Sequence, residues 1–155
     1  MRKLILSMMV SLDSRTAGPD GDLEWFRTDG DFTSKEREIA FAERMNTLPK
    51  IVYSRTLSDP AWGPATVVRD VRAEDVMAMK REPGKDLVLF AGATLASAFA
   101  DLDLIDEYRL MIHPIVLGRG LPLFDGVADE HPLRLIRATT FSSGVVLLHH
   151  ARERG

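Results

Sequence analysis

Residues 86–98, Asp-Leu-Val-Leu-Phe-Ala-Gly-Ala-Thr-Leu-Ala-Ser-Ala, join an apolar run to a helix-forming run through a turn of small residues. Leu87 to Phe90 is continuously apolar, the pattern of a strand covered on both faces of a parallel sheet. Ala91, Gly92 and Ala93 let backbone approach something closely, and Thr94 is placed to cap the helix that follows. Backbone amides at an unshielded helix start suit a phosphate. A tight strand-to-helix turn that binds nothing has the same composition, so this stretch alone leaves both readings open.

Working outward, the chain is 155 residues long, one domain by size, with 45% hydrophobic residues as in a soluble globular protein. The formal net charge of -3 gives no global field for nucleic acid or anionic lipid, so any anion site is local. Cysteine is absent, which excludes disulfides, thiolate metal sites and a cysteine nucleophile and fits a cytoplasmic setting. Arg2-Lys3 before the apolar run Leu4 to Val10 looks like the start of a signal peptide. Ser7 interrupts that run and charged Asp13 follows without a small-residue cleavage site, so it reads as a core strand. No run reaches the ~18 apolar residues of a membrane span.

Leu4 to Ser11 reads as a central strand covered on both faces, followed by a long polar loop, Leu12 to Gly21, of the kind that carries ligand contacts in α/β folds. Asp22 is placed as N-cap of a short helix through Phe26. The spacing predicts a helix over 33–46 with Ile39, Phe41, Ala42 and Met45 on its apolar side, closed by Pro49. Strands follow at Ile51 to Tyr53 and around Thr66 to Val68, and a helix over 73–81 with Val76, Met77 and Lys80 on one face. Another helix is expected over 96–102. Glu107 to Pro114 alternates as a strand, extended by Ile115 to Leu117 and reversed at Gly118-Arg119-Gly120. Leu133 to Phe141 and Val145 to His149 form a terminal antiparallel hairpin with Gly144 at positive φ. The fold class is therefore α/β, a mostly parallel sheet with an antiparallel end.

Candidate chemistry is sparse. Gly118-Arg119-Gly120 lacks the third glycine and the helix of a dinucleotide fingerprint, and the Gly92 turn lacks the lysine of a P-loop. Ser54-Arg55, just past a strand, offers a hydroxyl and a forked guanidinium for a phosphate monoester, or simply a solvated charge. None of the four histidines has metal-ligand spacing; His113 reads as structural, and His131, His149 and His150 as surface residues. Asp13 and Asp22 flank the first loop. Either could supply a proton if an apolar wall such as Trp25 or Phe26 raised its pKa; the alternative is loop solvation or helix capping, and for Asp22 capping is favoured.

The ordered series MRKLILSMMVSLD with AGPDGDLEW, LPKIVYSRTL, LVLFAGATL, IDEYRLMIHPIVLGRGLPLF and TFSSGVVLL resembles the dihydrofolate reductase-like family that includes the C-terminal reductase domain of the bifunctional riboflavin biosynthesis protein. The resemblance implies that fold, NADPH as cofactor, a small-molecule substrate and a homodimer. By position it implies that Gly92, Ala93, Thr94 and Leu95 hold the cofactor's diphosphate, and that Ser54 and Arg55 lie near its adenosine phosphate. Ser11, Asp13 and Ala17 would line the nicotinamide and substrate cleft, and Asp22 would match a substrate-binding acid.

Three departures stand out. Ser14 replaces a usual glycine, and Ala91 and Ala93 replace a usual glycine or serine. Between Phe26 and Lys50 there is room for little more than one helix, where the family has a further strand, turn and helix. The expectation is a sheet re-paired around the gap, a segment completed by a partner chain, or a stretch missing between the two residues. The last would leave consecutive Cα atoms more than ~3.8 Å apart. Two functions follow: an NADPH-dependent reductase of a small heterocyclic or conjugated substrate, or a catalytically silent dimeric binding or scaffold protein that keeps the fold. No deaminase zinc motif is present.

Overall fold

The structure is a computed structural model describing residues 1–25 and 35–155. In chain order the elements are β1 (Leu4–Ser11), β2 (Arg15–Ala17), α1 (Lys35–Thr47), β3 (Lys50–Tyr53), β4 (Ala65–Val68), α2 (Ala73–Arg81), β5 (Leu87–Leu89), α3 (Ala93–Asp101), β6 (Glu107–His113), β7 (Leu121–Pro122), β8 (Leu133–Thr140) and β9 (Val146–Arg152). The chain divides into two compact units, Met1–Arg27 with Ala73–Gly155, and Thr28–Arg72.

The first unit is built on a five-stranded sheet in the order β5-β1-β6-β9-β8. β1 runs parallel to both β5 and β6, while β6, β9 and β8 pair antiparallel. This is the mixed α/β architecture expected, with the parallel strands β5, β1 and β6 on one side and an antiparallel C-terminal hairpin on the other. Leu4, Ile5, Leu6, Met8 and Val10 are buried because β1 has hydrogen-bonded neighbours on both sides. Gly144 turns the hairpin at φ +87, in the left-handed region that favours glycine.

In the first unit, α2 buries two of the three residues that its spacing places on one face, and Met77 is partly buried. α2 buries Val76 and Lys80, four residues apart, and α3 buries Ala96, Phe99 and Ala100. Lys80 is 2% exposed, an extreme position for an ammonium. It is held by the Asp106 carboxylate at 2.5 Å and the Leu104 carbonyl at 3.2 Å. Asp106 also accepts the Leu4 amide and the Arg154 guanidinium. One carboxylate thus ties the start of β1, α2 and the C-terminal residues together.

The second unit contains α1 and the parallel pair β3–β4, with Ile51 opposite Thr66 and Tyr53 opposite Val68. Trp62 donates its indole N–H to Asn46 at 2.7 Å, with the Lys50 ammonium 4.9 Å from its ring centroid.

Several expectations are corrected. β5 is an edge strand of the five-stranded sheet, and it is not covered on both faces, since Val88 is 51% exposed. Ile39 and Phe41 on the expected apolar side of α1 are exposed. β6 ends at His113; Ile115 to Leu117 leave the ladder, and Ile115 accepts the Leu12 amide instead. Glu24 and Trp25 lie in a turn rather than a helix capped by Asp22. Phe26 and the start of the helix placed over 33–46 lie outside the described residues, as does the first part of the shortened Phe26 to Lys50 stretch with its Cα test. Among the described residues, no helix is long and apolar enough to cross a membrane.

Candidate functional site

The C-terminal ends of β1 and β5 open into a cleft of about 390 Å³, entirely within the first unit. Ala91, Gly92 and Ala93 form one side, Thr16, Ala17 and Leu121 another, and Met9 and Met111 the floor. Ligands in α/β sheets bind beyond the carboxyl ends of the strands, and this cleft lies there.

Gly92, not Thr94, is the N-cap of α3, at φ -79 and ψ 174, and no side chain caps the helix. Thr94 lies exposed in the first turn. Uncapped first-turn amides are left to bind water or an anion, with the positive end of the helix dipole behind them. A Cβ built on Gly92 would meet no heavy atom within 4 Å, so the backbone faces open space. Thr94 and Leu95 belong to that turn by sequence position, whereas Gly92 and Ala93 also line the cleft.

The opposite wall is the first loop laced to the segment after β6. Asp13 organises it: Oδ1 accepts the Ser11 hydroxyl at 2.7 Å and the Leu117 amide at 3.0 Å, and Oδ2 accepts the Gly118 amide at 2.7 Å. The fully buried Ser11 hydroxyl in turn accepts the Arg15 amide at 2.9 Å. Leu123 donates its amide to the Ser14 carbonyl, and β2 pairs antiparallel with β7. Gly118 and Gly120 have φ +70 and +126, and a Cβ on Gly120 would stand 2.1 Å from the Ala17 carbonyl oxygen. The Gly-Arg-Gly turn therefore carries the close approach that seats Ala17 in the cleft wall.

These hydrogen bonds, that from Ser11 foremost and then that from the Leu117 amide, pull the Asp13 carboxyl down to about 2. The expectation of a proton donor with a raised pKa is corrected: Asp13 is an ionised anchor of the wall. Asp22 is exposed and packs its carboxylate against Gly18, where a Cβ would lie 1.9 Å from Oδ2. Ser14 has φ +61, so the residue standing in place of the family's glycine occupies a left-handed conformation.

Ser54 and Arg55 follow β3 in the second unit. The Ser54 hydroxyl accepts the Leu57 amide at 3.0 Å, and the exposed Arg55 guanidinium pairs with Asp70 at 2.8 Å. The sequence reading missed the floor. Met9 and Met111 are register partners on adjacent strands, and the signal was the faint alternation of Ser7, Met9 and Ser11 against the aliphatic residues between them.

Two histidines assigned to the surface are largely enclosed. His149 lies 2.7 Å from Glu107 Oε2, and His131 3.6 Å from Asp103. Burial alone would raise the Glu107 pKa; the Lys3 ammonium and His149 outweigh it and hold the carboxyl below its ordinary value. His113 is buried, with its ring edge-on to Trp25 at 5.5 Å.

The family model of the RibD C-terminal domain matches residues 29–147. The Bacillus subtilis protein YyaP, itself uncharacterized, is 32% identical over 96% of this chain and 95% of its own length. That alignment spans 186 positions against a 155-residue chain, so part of the relative has no counterpart here. Among solved structures, a Shewanella sp. PV-4 protein provisionally assigned to riboflavin biosynthesis superposes with a TM-score of 0.76 at 20% identity, covering 99% of this chain and all of the other. A Thermotoga maritima diaminohydroxyphosphoribosylaminopyrimidine deaminase/5-amino-6-(5-phosphoribosylamino)uracil reductase gives 0.66 at 16% identity, with 98% of this chain covering 57% of that longer one. The likeness to these structures carries the fold, and the model match together with the 32% identity carries the family: this chain belongs to the RibD C-terminal domain family.

Proposed function

We propose that this chain is an NADPH-dependent reductase that directs a hydride onto a small heterocyclic or conjugated substrate. The observation that supports it most directly is the uncapped start of α3, whose Gly92 backbone faces open space on the wall of the cleft. These residues fit a dinucleotide diphosphate: the amides of Ala93, Thr94 and Leu95 supply donors, and the missing Cβ at Gly92 lets the phosphate oxygens approach. Ser54 and Arg55 are assigned to the adenosine phosphate that distinguishes NADPH from NADH.

Ala17 shapes the other wall, and Ser11 and Asp13 hold it in place. When bound, the nicotinamide supplies the hydride. The substrate takes that hydride on one atom and a proton on a neighbouring heteroatom, so one substrate, one NADPH and one proton give the dihydro product and NADP+. With Asp13 ionised, Asp22 or solvent is assigned the proton. A homodimer in a reducing cytoplasm is part of this reading.

Titration with NADPH tests it. The expected result is a fluorescence change and a thermal upshift that saturate at sub-millimolar cofactor; no response at millimolar NADPH would remove the assignment. A second reading, a silent dimeric scaffold, is favoured by the segment of YyaP that has no counterpart here. Steady NADPH oxidation with a conjugated acceptor would exclude that second reading.

A further inference from the structure

The cleft has two chemically different ends. At the α3 end no side chain caps the first-turn amides and the Cβ position of Gly92 is open space, which leaves room for an anion. The rest of the lining is mostly sulfur and hydrocarbon, with no ionisable side chain among the described residues. Met9 on β1 stands in register with Met111 on β6, Met9 is 38% exposed, and the half-exposed Phe90 and the side chain of Leu121 complete the enclosure. Thioethers are polarizable and pack well against flat conjugated faces.

The polar side chains of this lining are two uncharged hydroxyls, Ser7 and Thr16. The Thr16 hydroxyl donates to the Leu121 carbonyl at 3.2 Å. The Arg15 guanidinium faces the Gly120 carbonyl at 3.5 Å and the Asp13 carboxylate at 3.9 Å. Among the described residues, no side chain lining the cleft carries a charge. A phosphate seated on the methionine floor would lose its hydration without gaining a cation, whereas an uncharged ring loses only apolar hydration.

We infer that the substrate end of this cleft takes an uncharged, planar conjugated ring, of the quinone or unphosphorylated tricyclic heterocycle class, rather than a sugar phosphate. The inference rests on the reductase reading and names the substrate class for that site. For a quinone the reaction balances as quinone, NADPH and one proton giving hydroquinone and NADP+. The hydride pair reduces the ring, and the proton comes from solvent onto the oxygen.

The test uses a matched pair, 1,4-naphthoquinone and 1,4-naphthoquinone-2-sulfonate, titrated calorimetrically into the full chain with and without NADP+. The neutral ring is expected to bind at least ~10-fold tighter than the sulfonate, because the anion has no partner on the floor. Met9→Lys, at a partly exposed position where the ammonium can reach solvent, is expected to weaken the neutral ring and narrow or reverse that ratio. Met111→Leu keeps the floor apolar and is expected to retain the preference for the neutral ring.

Equal or tighter binding of the sulfonate to the unaltered chain overturns the inference. So does binding of NADPH with no binding of either ring, a result that leaves the cofactor assignment standing. Ring binding with the expected preference but no response to NADPH supports the ring site and removes the reductase reading.

Discussion

The Asp13 carboxylate accepts the backbone amide of Gly118 at 2.7 Å, across 105 positions of sequence. With the Leu117 amide on its other oxygen, it fastens the first-strand loop to the Gly-Arg-Gly turn and so sets the wall that carries Ala17. Asp13→Asn replaces one accepting oxygen with an N–H that faces another donor. The fold is expected to survive, with faster amide exchange at Leu117 and Gly118. The kcat/KM with NADPH should fall by ~10-fold to ~100-fold from misplacement of the wall. Unchanged exchange at both amides would remove Asp13 from this role.

Gly92 and Gly120 make opposite predictions for the same kind of substitution. A Cβ at Gly92 enters open space, so Gly92→Val should fold while blocking phosphate approach, raising the NADPH Kd by ~10-fold or more with a stability loss limited to the roughly 1 kcal/mol of a poorer N-cap residue. A Cβ at Gly120 meets the Ala17 carbonyl at 2.1 Å on a backbone with φ +126. Gly120→Ala should therefore lower stability by about 1–3 kcal/mol, read as a fall in Tm. Equal Tm losses for both variants would contradict this division.

Ser14 at φ +61 carries the steric cost of a left-handed residue. Ser14→Gly is expected to raise stability by up to about 1 kcal/mol, a few degrees in Tm, partly offset by the greater backbone freedom of glycine in the unfolded chain. Chemical denaturation checks it; a loss of stability would show that the Ser14 hydroxyl makes a compensating contact.

Asp106 is where acid should act. Burial by itself would raise its pKa, but the Lys80 ammonium, the Leu4 amide and the Arg154 guanidinium outweigh that and hold it below the ordinary value. A depressed carboxyl stabilises the fold above its unfolded pKa of ~3.9, and that stability is lost as pH falls through the lower folded value. Denaturation curves should therefore be insensitive to this group at neutral pH and weaken below ~4. Lys80→Met leaves the enclosed carboxylate with one cation fewer and should cost about 3 kcal/mol at pH 7. It should also shallow the acid limb, since less of the stabilisation that holds Asp106 ionised remains.

The local patterns were legible wherever a periodic constraint acted on neighbouring residues. Val76 and Lys80 lie one helical turn apart and are buried as their spacing implied, and the bounds of α2 follow from it. Gly144 marked its hairpin because a tight reversal needs positive φ. Edges and enclosure were not legible. Leu87 to Phe90 has the composition of an inner strand, yet β5 lies at the margin of the five-stranded sheet, because strand order depends on which distant segment pairs with β1. His149 looked like a surface residue until β9 brought it beside Glu107 of β6.

The sequence by itself determined that residues 86–98 pass from strand to helix through a turn too small to shield its amides, and that the chain carries the ordered motifs of its family. Those are properties of short segments, fixed by side-chain size and backbone freedom. Only the tertiary structure decided that Gly92 rather than Thr94 caps α3, that Asp13 is an ionised anchor, and that Met9 meets Met111 on the floor of the cleft. The cap follows from the backbone path the turn takes, the methionine pair from strand register, and the state of Asp13 from amides arriving from a hundred residues away, so the physical effect of a carboxylate or a methionine is set by the neighbours that folding brings to it.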